Sequence, residues 1–253
     1  MSQIIEGSVA LVTGANRGIG RAIVEALIAR GAAKVYAAAR NPEGVADLVA
    51  AHPGRVVALA LDVTDDAAVA AAAAAAGDVQ LLVNNAGIAT GLGLSISDPA
   101  VMDGAAAEMD VNYFGLLRMT QAFSSTLAAN GGGSIVNLSS VVGLSAFAPF
   151  VSYSASKAAV RSLIQSGRVS LAAQGTKVIG VYPGPIDTEM AKDLPFDKTS
   201  PEHIAGAILD AVETGTLDVY PDPFSQDFSS RFEESPAALE QHITAMVTGG
   251  APD

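Results

Sequence analysis

Segments with the apolar pattern of a buried strand alternate with segments that have the pattern of a helix along most of this chain. The predicted strands are Val9–Val12, Lys34–Ala39, Arg55–Leu61, Val79–Val83, Ser134–Leu138, Lys177–Val181 and Leu217–Tyr220. Parallel strands need crossover connections, and helices in those connections cover both faces of the sheet. The alternation therefore predicts an α/β fold with a doubly wound parallel sheet.

The composition is that of one large globular domain. The chain has 253 residues, of which 50% are hydrophobic, and neither a linker nor an internal repeat divides it. Sheets of this class often reach this length as one unit. We predict a single domain over residues 1–253, with a C-terminal extension that starts at about residue 221.

Charge and residue usage argue against several kinds of partner. The net charge of −12 disfavours binding to nucleic acid or to anionic membranes. Cysteine is absent, and His52, His203 and His242 lack the spacing of metal ligands, so no metal site is predicted. The chain has neither the start of a signal peptide nor an apolar run of the roughly 18 residues that a membrane span needs. We expect a soluble, cytoplasmic protein.

A glycine-rich turn, Thr13–Gly20, joins the first predicted strand to the first predicted helix. Its glycines, Gly14, Gly18 and Gly20, have the spacing Gly-x-x-x-Gly-x-Gly. Glycine lets backbone N–H groups approach a pyrophosphate at the helix N-terminus. The turn therefore predicts a dinucleotide site, although a strand–helix turn can also use glycines without any ligand.

The region expected to face the adenosine ribose favours NADP(H). About twenty residues past the glycines, where an NAD-binding chain would place an acid, this sequence reads Ala38-Ala39-Arg40. Arg17 lies in the glycine turn itself. Two guanidinium groups could bracket a 2′-phosphate with charge-assisted hydrogen bonds. The alternative is that Arg17 and Arg40 are solvated surface residues.

The side chains suited to catalysis lie between Ser139 and Lys157. Tyr153 and Lys157 are four residues apart near the start of a predicted helix, so they share one face. An ammonium beside a phenol favours the phenolate and lowers its pKa. The Ser140 hydroxyl, at a strand end, could hold a carbonyl oxygen. This group predicts proton exchange with a carbonyl oxygen, and a cofactor must supply the hydride. Separately, each residue could be ordinary.

Polar residues at two further strand ends, and one in a helix, have both functional and structural interpretations. Asp62-Val63 would lie near an adenine, or Asp62 could serve the start of the next helix. In Asn84–Gly87, the amides could tie strand ends while Ala86 and Gly87 leave room for a ribose. Asn112, inside the long predicted helix Pro99–Ala129, is either a core amide or a ligand of a carbonyl or water that leads to Lys157.

With these motifs in order, the chain resembles the short-chain dehydrogenase/reductase family, in its compact NADP-preferring form, over about residues 8–220. The motifs that carry the resemblance are Thr13–Gly20, Asp62, Asn84–Gly87, Asn112, Ser140, Tyr153, Lys157 and Pro183–Thr188. The family implies a Rossmann-like doubly wound sheet and a nicotinamide cofactor. It also implies a catalytic set of Asn112, Ser140, Tyr153 and Lys157.

The resemblance also implies a role for each matched residue. Tyr153 would donate or accept the proton, and Ser140 would position the carbonyl. Lys157 would lower the Tyr153 pKa and hold the nicotinamide ribose, while Asn112 would support a water chain to Lys157. The residues implied to bind NADP(H) are Gly14, Asn16, Arg17, Gly18, Ile19, Gly20, Arg40, Asp62, Val63, Asn84, Ala86, Gly87, Tyr153, Lys157, Pro183, Gly184, Ile186 and Thr188.

Two departures from the family's pattern concern the substrate and the assembly. The segment Glu189–Ser200 is short where many relatives have a longer substrate lid, which suggests an open, permissive pocket. The chain also continues past Tyr220, where many relatives stop, through an acidic helical stretch near Ala237–Met246. The two long helices, Pro99–Ala129 and Ser152–Ala173, resemble the family's dimer-forming pair, so we expect a homodimer or homotetramer.

The expected activity is that of an NADPH-dependent carbonyl reductase, or of an alcohol dehydrogenase in the reverse direction. The candidate substrate-pocket residues are apolar, which favours an apolar or aryl ketone or the matching secondary alcohol as a small-molecule substrate. They are Val141, Val142, Phe147, Phe150, Met190 and Phe196. The alternatives are a 3-oxoacyl-carrier-protein reductase and a catalytically idle nucleotide sensor that binds partner proteins.

Overall fold

A seven-stranded parallel sheet forms the centre of the computed structural model, which describes residues 4–90, 93–94 and 96–249. Its strands are β1 (Val9–Thr13), β2 (Lys34–Ala39), β3 (Val56–Ala60), β4 (Leu81–Asn84), β5 (Ser134–Leu138), β6 (Lys177–Val181) and β7 (Asp218–Val219). They are arranged in the order β3-β2-β1-β4-β5-β6-β7. The predicted doubly wound, Rossmann-like sheet is confirmed. The two ends of the predicted 1–253 domain lie outside the described residues.

Helices cover both faces of this sheet. In chain order they are α1 (Gly18–Ala29), α2 (Ala46–Ala51), α3 (Asp66–Ala75), α4 (Val101–Glu108), α5 (Leu116–Ala129), α6 (Val151–Ser170), α7 (Pro201–Thr214), α8 (Pro223–Glu234) and α9 (Pro236–Thr248). Ser200 caps α7 as its sequence predicts, since its hydroxyl accepts from the N–H of His203. No helix in the described ranges has the length and apolarity needed to cross a bilayer.

The long helix predicted over Pro99–Ala129 contains a π-helical turn. Residues Met109–Gly115 have π geometry and join α4 directly to α5. At Gly115 the turn passes so close to the loop after β3 that an added Cβ would lie 2.7 Å from the Val63 Cγ2 atom. The extra residue of a π turn re-aims the side chains within it, and such turns are frequent at functional sites. Asn112 lies in this turn.

Two apolar layers hold the helices to the sheet. One face buries alternate strand residues, such as Ala10 and Val12 of β1, against α1 and α7. The other face buries Leu11, between them, against α3, α5 and α6. This alternation follows the two-residue period of a strand. Both faces of the central strands are apolar, as a parallel sheet between two helix layers requires.

A third apolar cluster lies at the end of the sheet and includes the C-terminal extension. It joins α8 and α9 to the loop after β5 through buried side chains, which are Val141, Val142, Phe147, Phe228, Leu239 and Ile243. The sequence predicted a helical stretch near Ala237–Met246, which is α9. It missed α8, although Asp222 caps this helix and Pro223 begins it.

The turn from α5 into β5 contains a glycine, Gly133, at which a side chain would clash with the neighbouring backbone. Gly133 has a φ of +63°, and an added Cβ would overlap the carbonyl oxygen of Gln80. We predict that Gly133→Ala lowers the free energy of unfolding by at least about 1–3 kcal/mol, since a left-handed alanine alone costs this much. Chemical denaturation measures the change.

The matched control for this substitution is Gly77→Ala. Gly77 is exposed, its φ is not in the left-handed region, and nothing lies within 4 Å of an added Cβ. This variant should stay within about 0.5 kcal/mol of the parent protein. Equal stability of the Gly133 and Gly77 variants would contradict the steric account of the turn.

Candidate active site

One cavity of about 790 Å³ runs along the carboxyl ends of the strands. Nearly all of the predicted site residues line it, on loops that follow β1, β2, β3, β4, β5 and β6. Three of them, Gly20, Asn84 and Asn112, do not. Carboxyl ends of parallel strands are the usual ligand position in an open α/β sheet. The structure thus brings together residues as far apart in sequence as Gly14 and Thr188.

The glycine turn forms a backbone cradle at one end of the cavity. Helix α1 begins at Gly18, and no side chain in the described part of the chain caps its N-terminus. Added Cβ atoms would lie 3.0 Å from the Asn85 Nδ2 atom at Gly14 and 3.2 Å from the Thr188 Cγ2 atom at Gly18. At Gly20 the Cβ would overlap the Gly14 carbonyl, so this glycine serves the turn itself. Free N–H groups in such a cradle fit a pyrophosphate.

Arg17 and Arg40 lie at the same end of the cavity, and both are exposed. Neither forms an ion pair with the described residues, whereas Arg21 beside them pairs with Glu25 and Asp47. Two guanidinium groups without a carboxylate partner, next to a pyrophosphate cradle, fit an additional phosphate group.

Asp62 forms a small turn at the adenine end. Its Oδ1 atom accepts hydrogen bonds from the N–H (2.9 Å) and the hydroxyl (2.7 Å) of Thr64. These bonds, with a smaller contribution from the charge of Arg40, lower the pKa of the Asp62 carboxyl. Helix α3 is capped by Asp65 instead. Asp62 and Val63 therefore remain available to the cavity, since α3 has its own cap.

The two asparagines after β4 have different environments. Asn84 is buried, and its amide donates to the Asn137 Oδ1 atom of β5 at 2.9 Å, so it ties neighbouring strands together. Asn85 lines the cavity and donates to the Thr13 carbonyl at 2.8 Å. The Thr13 hydroxyl accepts from the N–H groups of Asn85 and Ala86, each at 3.0 Å. The structural interpretation of Asn84 is the one that the geometry favours.

Tyr153, Lys157 and Ser140 meet at the centre of the cavity. Tyr153 and Lys157 lie one turn apart on α6, and the Lys157 Nζ atom is 5.5 Å from the centre of the Tyr153 ring. The Nζ atom donates to the Leu138 carbonyl at 2.8 Å. The Ser140 hydroxyl donates to the Pro183 carbonyl at 3.3 Å, which holds the loops after β5 and β6 together.

The pKa values of this pair differ from the sequence expectation. Burial raises the pKa of the Tyr153 phenol above its ordinary value, and the negative charge of Glu108 raises it further. Burial also lowers the pKa of Lys157 to about 8. The sequence analysis predicted a lowered Tyr153 pKa, whereas burial and Glu108 shift it in the opposite direction.

Asn112 is buried and holds the loop after β4 in place through hydrogen bonds. Its amide accepts from the Ile88 N–H at 2.8 Å, donates to the Ile88 carbonyl at 2.9 Å and donates to the Ser156 hydroxyl at 2.9 Å. Ser156 lies beside Lys157 on α6. Asn112 therefore links the cavity loop to the helix of Tyr153, with direct contacts to protein groups on both sides.

Glu108 is a site residue that the sequence analysis missed. It is fully buried, four residues before Asn112, and its Oε1 atom accepts from the N–H (2.6 Å) and the hydroxyl (3.2 Å) of Thr90. Together, Glu108 and Asn112 fasten the loop at two points. An acid inside a helical pattern is usually exposed, so only the folded structure shows its proximity to Tyr153.

The opposite end of the cavity is aromatic and apolar. All six candidate substrate-pocket residues line it, together with Leu194, Phe224 and Phe228, which were not predicted. Phe147 contacts Phe150 and Phe196, with ring centres 5.2 and 6.1 Å apart. Helix α8 supplies part of the wall at this end, beside the short segment 189–200. Among the described residues, no group of three or more histidine, aspartate or glutamate side chains could hold a metal ion.

Comparison with known proteins assigns the family. The short chain dehydrogenase family model matches residues 8–199. The 3-oxoacyl-(acyl-carrier-protein) reductase of Vibrio harveyi is 35% identical over 253 residues, which cover 97% of this chain and 98% of that protein. The 3-alpha-(or 20-beta)-hydroxysteroid dehydrogenase of Mycobacterium tuberculosis is 36% identical over 225 residues, or 87% of this chain and 84% of that protein.

A solved structure agrees over the whole fold. A short chain dehydrogenase from Burkholderia cenocepacia, in complex with NADP, has a TM-score of 0.88 and 42% sequence identity to this chain. The match covers 95% of this chain and 99% of that one. The resemblance inferred from the motifs is therefore confirmed, as is the expectation of an oxidoreductase. This chain belongs to the short chain dehydrogenase family.

Proposed function

We propose that this protein is an NADPH-dependent carbonyl reductase, or an alcohol dehydrogenase in the reverse direction, for apolar or aryl ketones and their secondary alcohols. One observation carries the proposal. A single cavity is lined by a phosphate cradle with two arginines, a Ser-Tyr-Lys group and an aromatic wall. The first part suits NADPH, the second a carbonyl oxygen, and the third an uncharged substrate.

The proton in this reaction belongs to Tyr153. The hydroxyls of Ser140 and Tyr153 would hold the carbonyl oxygen, and Tyr153 would donate its proton as the oxygen gains charge. Bound NADPH supplies the hydride to the carbonyl carbon. A phenol is protonated at neutral pH at its ordinary pKa, and burial and Glu108 raise the Tyr153 pKa further, so Tyr153 would enter the reduction with its proton in place.

Lys157 and Asn112 would assist this step by binding and positioning the cofactor ribose. Lys157 has a pKa of about 8, so it is largely protonated at neutral pH and can donate to a ribose hydroxyl beside Gly87. An added Cβ at Gly87 would lie 3.1 Å from the Asn112 Oδ1 atom and 3.6 Å from the Lys157 Nζ atom. Glycine there leaves room for a sugar against both side chains.

The choice of NADPH rests on charge. Arg17 and Arg40 face the cavity without a carboxylate partner in the described chain, and residue 39 is alanine, where an acid would accept from ribose hydroxyls. The Burkholderia cenocepacia relative is in complex with NADP. Both observations support a 2′-phosphate between the two guanidinium groups.

The 3-oxoacyl-(acyl-carrier-protein) reductase activity of the Vibrio harveyi relative is the main alternative. A carrier protein is acidic, so its reductase needs basic surface near the pocket mouth. In this chain, the net charge is −12 and the C-terminal segment is acidic as well. Residues 223–240 carry Asp227, Glu233, Glu234 and Glu240 against one basic residue, Arg231. This charge favours a small ketone over a carrier-bound thioester.

The catalytic residues argue against a nucleotide sensor that lacks activity, and the exposed apolar residues argue for an oligomer. A nucleotide sensor without catalysis needs none of Asn112, Ser140, Tyr153 and Lys157, yet the last three line one cavity and Asn112 is bonded to Ser156, beside Lys157. We also propose a homo-oligomer, since the two long helices expose the large apolar side chains of Met102 (72%), Phe114 (45%) and Val169 (81%). Exposed apolar groups of this size favour contact with another subunit.

The proposed activity predicts a substrate order. With NADPH, uncharged aryl and alicyclic ketones should be reduced with higher kcat/KM than a 3-oxoacyl carrier-protein thioester, because the pocket end is apolar and the protein carries a net charge of −12. Steady-state absorbance of NADPH measures both rates.

Tyr153→Phe keeps the ring and removes the proton donor, so it should reduce kcat about a hundred- to ten-thousand-fold.

The affinity of Tyr153→Phe for NADPH, measured by fluorescence titration, is the control and should remain near that of the parent. Two results would refute the proposal: near-normal turnover in this variant, or preference of the parent enzyme for the carrier-protein substrate.

The environment of Tyr153 predicts a pH effect. Alcohol oxidation needs the phenolate, so its rate should rise with pH, and a raised Tyr153 pKa places this rise at higher pH than an ordinary phenol would. Glu108→Gln keeps an oxygen for Thr90 and removes the negative charge, which should lower that pKa and move the onset of oxidation to lower pH. Profiles of kcat/KM against pH compare the two proteins.

Asp110→Asn serves as the control for this experiment. Asp110 lies two residues further along the same helix, where it pairs with Arg118 instead of contributing to the Tyr153 pKa. Its variant should keep the parent profile. An unmoved profile in Glu108→Gln would show that Glu108 does not act on Tyr153.

The arginines predict cofactor preference. A charge-assisted hydrogen bond contributes roughly 1.5–3 kcal/mol, so a preference for NADPH over NADH of about tenfold or more is expected. Ala39→Asp combined with Arg40→Leu should reverse it, by adding an acceptor for ribose hydroxyls and a charge that repels the phosphate. The measurement is kcat/KM with each cofactor at low and high salt.

Arg21→Leu provides the comparison for this pair, because Arg21 lines the same cavity end but is already paired with Glu25 and Asp47. It should leave the cofactor ratio unchanged. A parent enzyme that prefers NADH, or a ratio that the double substitution does not move, would rule out the two-arginine account.

A further inference from the structure

The C-terminal extension contributes side chains to the cavity that holds Ser140 and Tyr153. Phe224 and Phe228, both on α8, line this cavity at its apolar end. Tyr153 packs against the same apolar cluster. The substrate end is therefore lined in part by a segment that lies beyond the residues matched by the family model, which end at residue 199.

The phenylalanine rings form a continuous surface built from three distant parts of the chain. Phe224 stacks on Phe228 with ring centres 4.5 Å apart and an interplanar angle of 24°. Phe224 also contacts Phe196, at 5.6 Å, and Phe196 contacts Phe147, at 6.1 Å. These separations lie in the range in which aromatic rings attract one another. The wall presents ring faces and edges of the kind that pack against a planar ligand.

Helix α9 packs against Phe228, one of the rings of this wall. Phe228 is only 2% exposed and belongs to one cluster with Leu239 (0%) and Ile243 (3%) of α9. Close packing of this kind fixes the rotamers of the rings that it supports. The shape of the wall is thus set before a substrate enters.

Asp222 fastens the wall to the cofactor side of the cavity. This carboxylate is 1% exposed, caps α8 by accepting from the Ser225 N–H at 2.8 Å, and accepts from the Gly184 N–H at 2.9 Å. An added Cβ at Gly184 would lie 2.8 Å from the Asp222 Oδ1 atom and 2.9 Å from the Phe224 Cδ1 atom. The loop that borders the cofactor therefore touches the ring that borders the substrate.

We propose that Phe224 and Phe228 of α8, which α9 supports, determine substrate specificity. They select ketones and secondary alcohols that carry an aryl or alicyclic ring next to the reacting carbon. The proposal rests on the carbonyl reductase function given above and names its substrate class more narrowly. A ring gains stacking and edge contacts with the wall. A charged group in the same place would lose water without gaining a partner.

Phe224→Ala tests the wall in the full-length enzyme. The readout is the ratio of kcat/KM for acetophenone to that for 2-butanone, with saturating NADPH. The variant should lower this ratio about tenfold or more, since loss of ring contacts affects the aryl substrate. Reduction of 2-butanone should fall much less than that of acetophenone, because 2-butanone has no ring to pack against the wall.

Phe232→Ala is the matched control. Phe232 lies on α8, is half-buried, packs against the same cluster and contacts Arg161, but it does not line the cavity. Its variant should keep the parent ratio. Phe228→Leu is a second test that keeps an apolar side chain of similar depth, and it should lower the ratio in the same direction as Phe224→Ala.

The outcomes separate this inference from the function on which it rests. If the ratio stays at the parent value in both Phe224→Ala and Phe228→Leu, or if Phe232→Ala lowers it equally, the wall does not select substrates. If the parent enzyme reduces no ketone, the carbonyl reductase function is wrong. Calorimetric binding of acetophenone to the parent protein and to Phe224→Ala, each with NADPH, then supports or overturns the wall by itself.

Discussion

The joint between β1 and β4 is the contact on which the rest of the molecule depends. The Thr13 hydroxyl accepts from the N–H groups of Asn85 and Ala86, and the Asn85 amide donates back to β1. These strands are neighbours, but the chain leaves β1 toward β2 on one side and leaves β4 toward β5 on the other. Diverging connections open a crevice where the strands end. The glycine turn can lie against this joint only because Gly14 and Gly20 lack side chains.

Buried polar side chains convert that crevice into a site with fixed geometry. Lys157, Asn112 and Glu108 each bind backbone groups of the loops that follow the strands, and those groups would otherwise be left unpaired. The bonds that satisfy the loops thus also hold the reactive groups in place. Low polarity around them then moves two pKa values in opposite directions, upward for Tyr153 and downward for Lys157.

The sequence was sufficient for features that depend on local pattern. Strands Lys34–Ala39 and Lys177–Val181 have the predicted bounds, because an apolar run defines each of them. Features that depend on distant contacts were missed. Nothing near Phe224 in sequence indicates that it lines the cavity of Tyr153, and the burial that raises the Tyr153 pKa comes from packing across the fold. For Asn84 the sequence left a structural and a functional interpretation open, and its pairing with Asn137 of β5 favours the structural one.

The π-helical turn between α4 and α5 divides one long helix into two registers. Each residue of a helix rotates the next by about 100°, so one extra residue sets the face of α4 independently of the face of α5. Helix α5 uses its register to bury Met119 and Phe123 against the sheet. Helix α4 uses its own register to direct Glu108 toward Thr90. Loss of one residue from Met109–Gly115 would therefore leave the core aligned while turning the carboxylate away from the loop, so chain length at this point tunes the site separately from the fold.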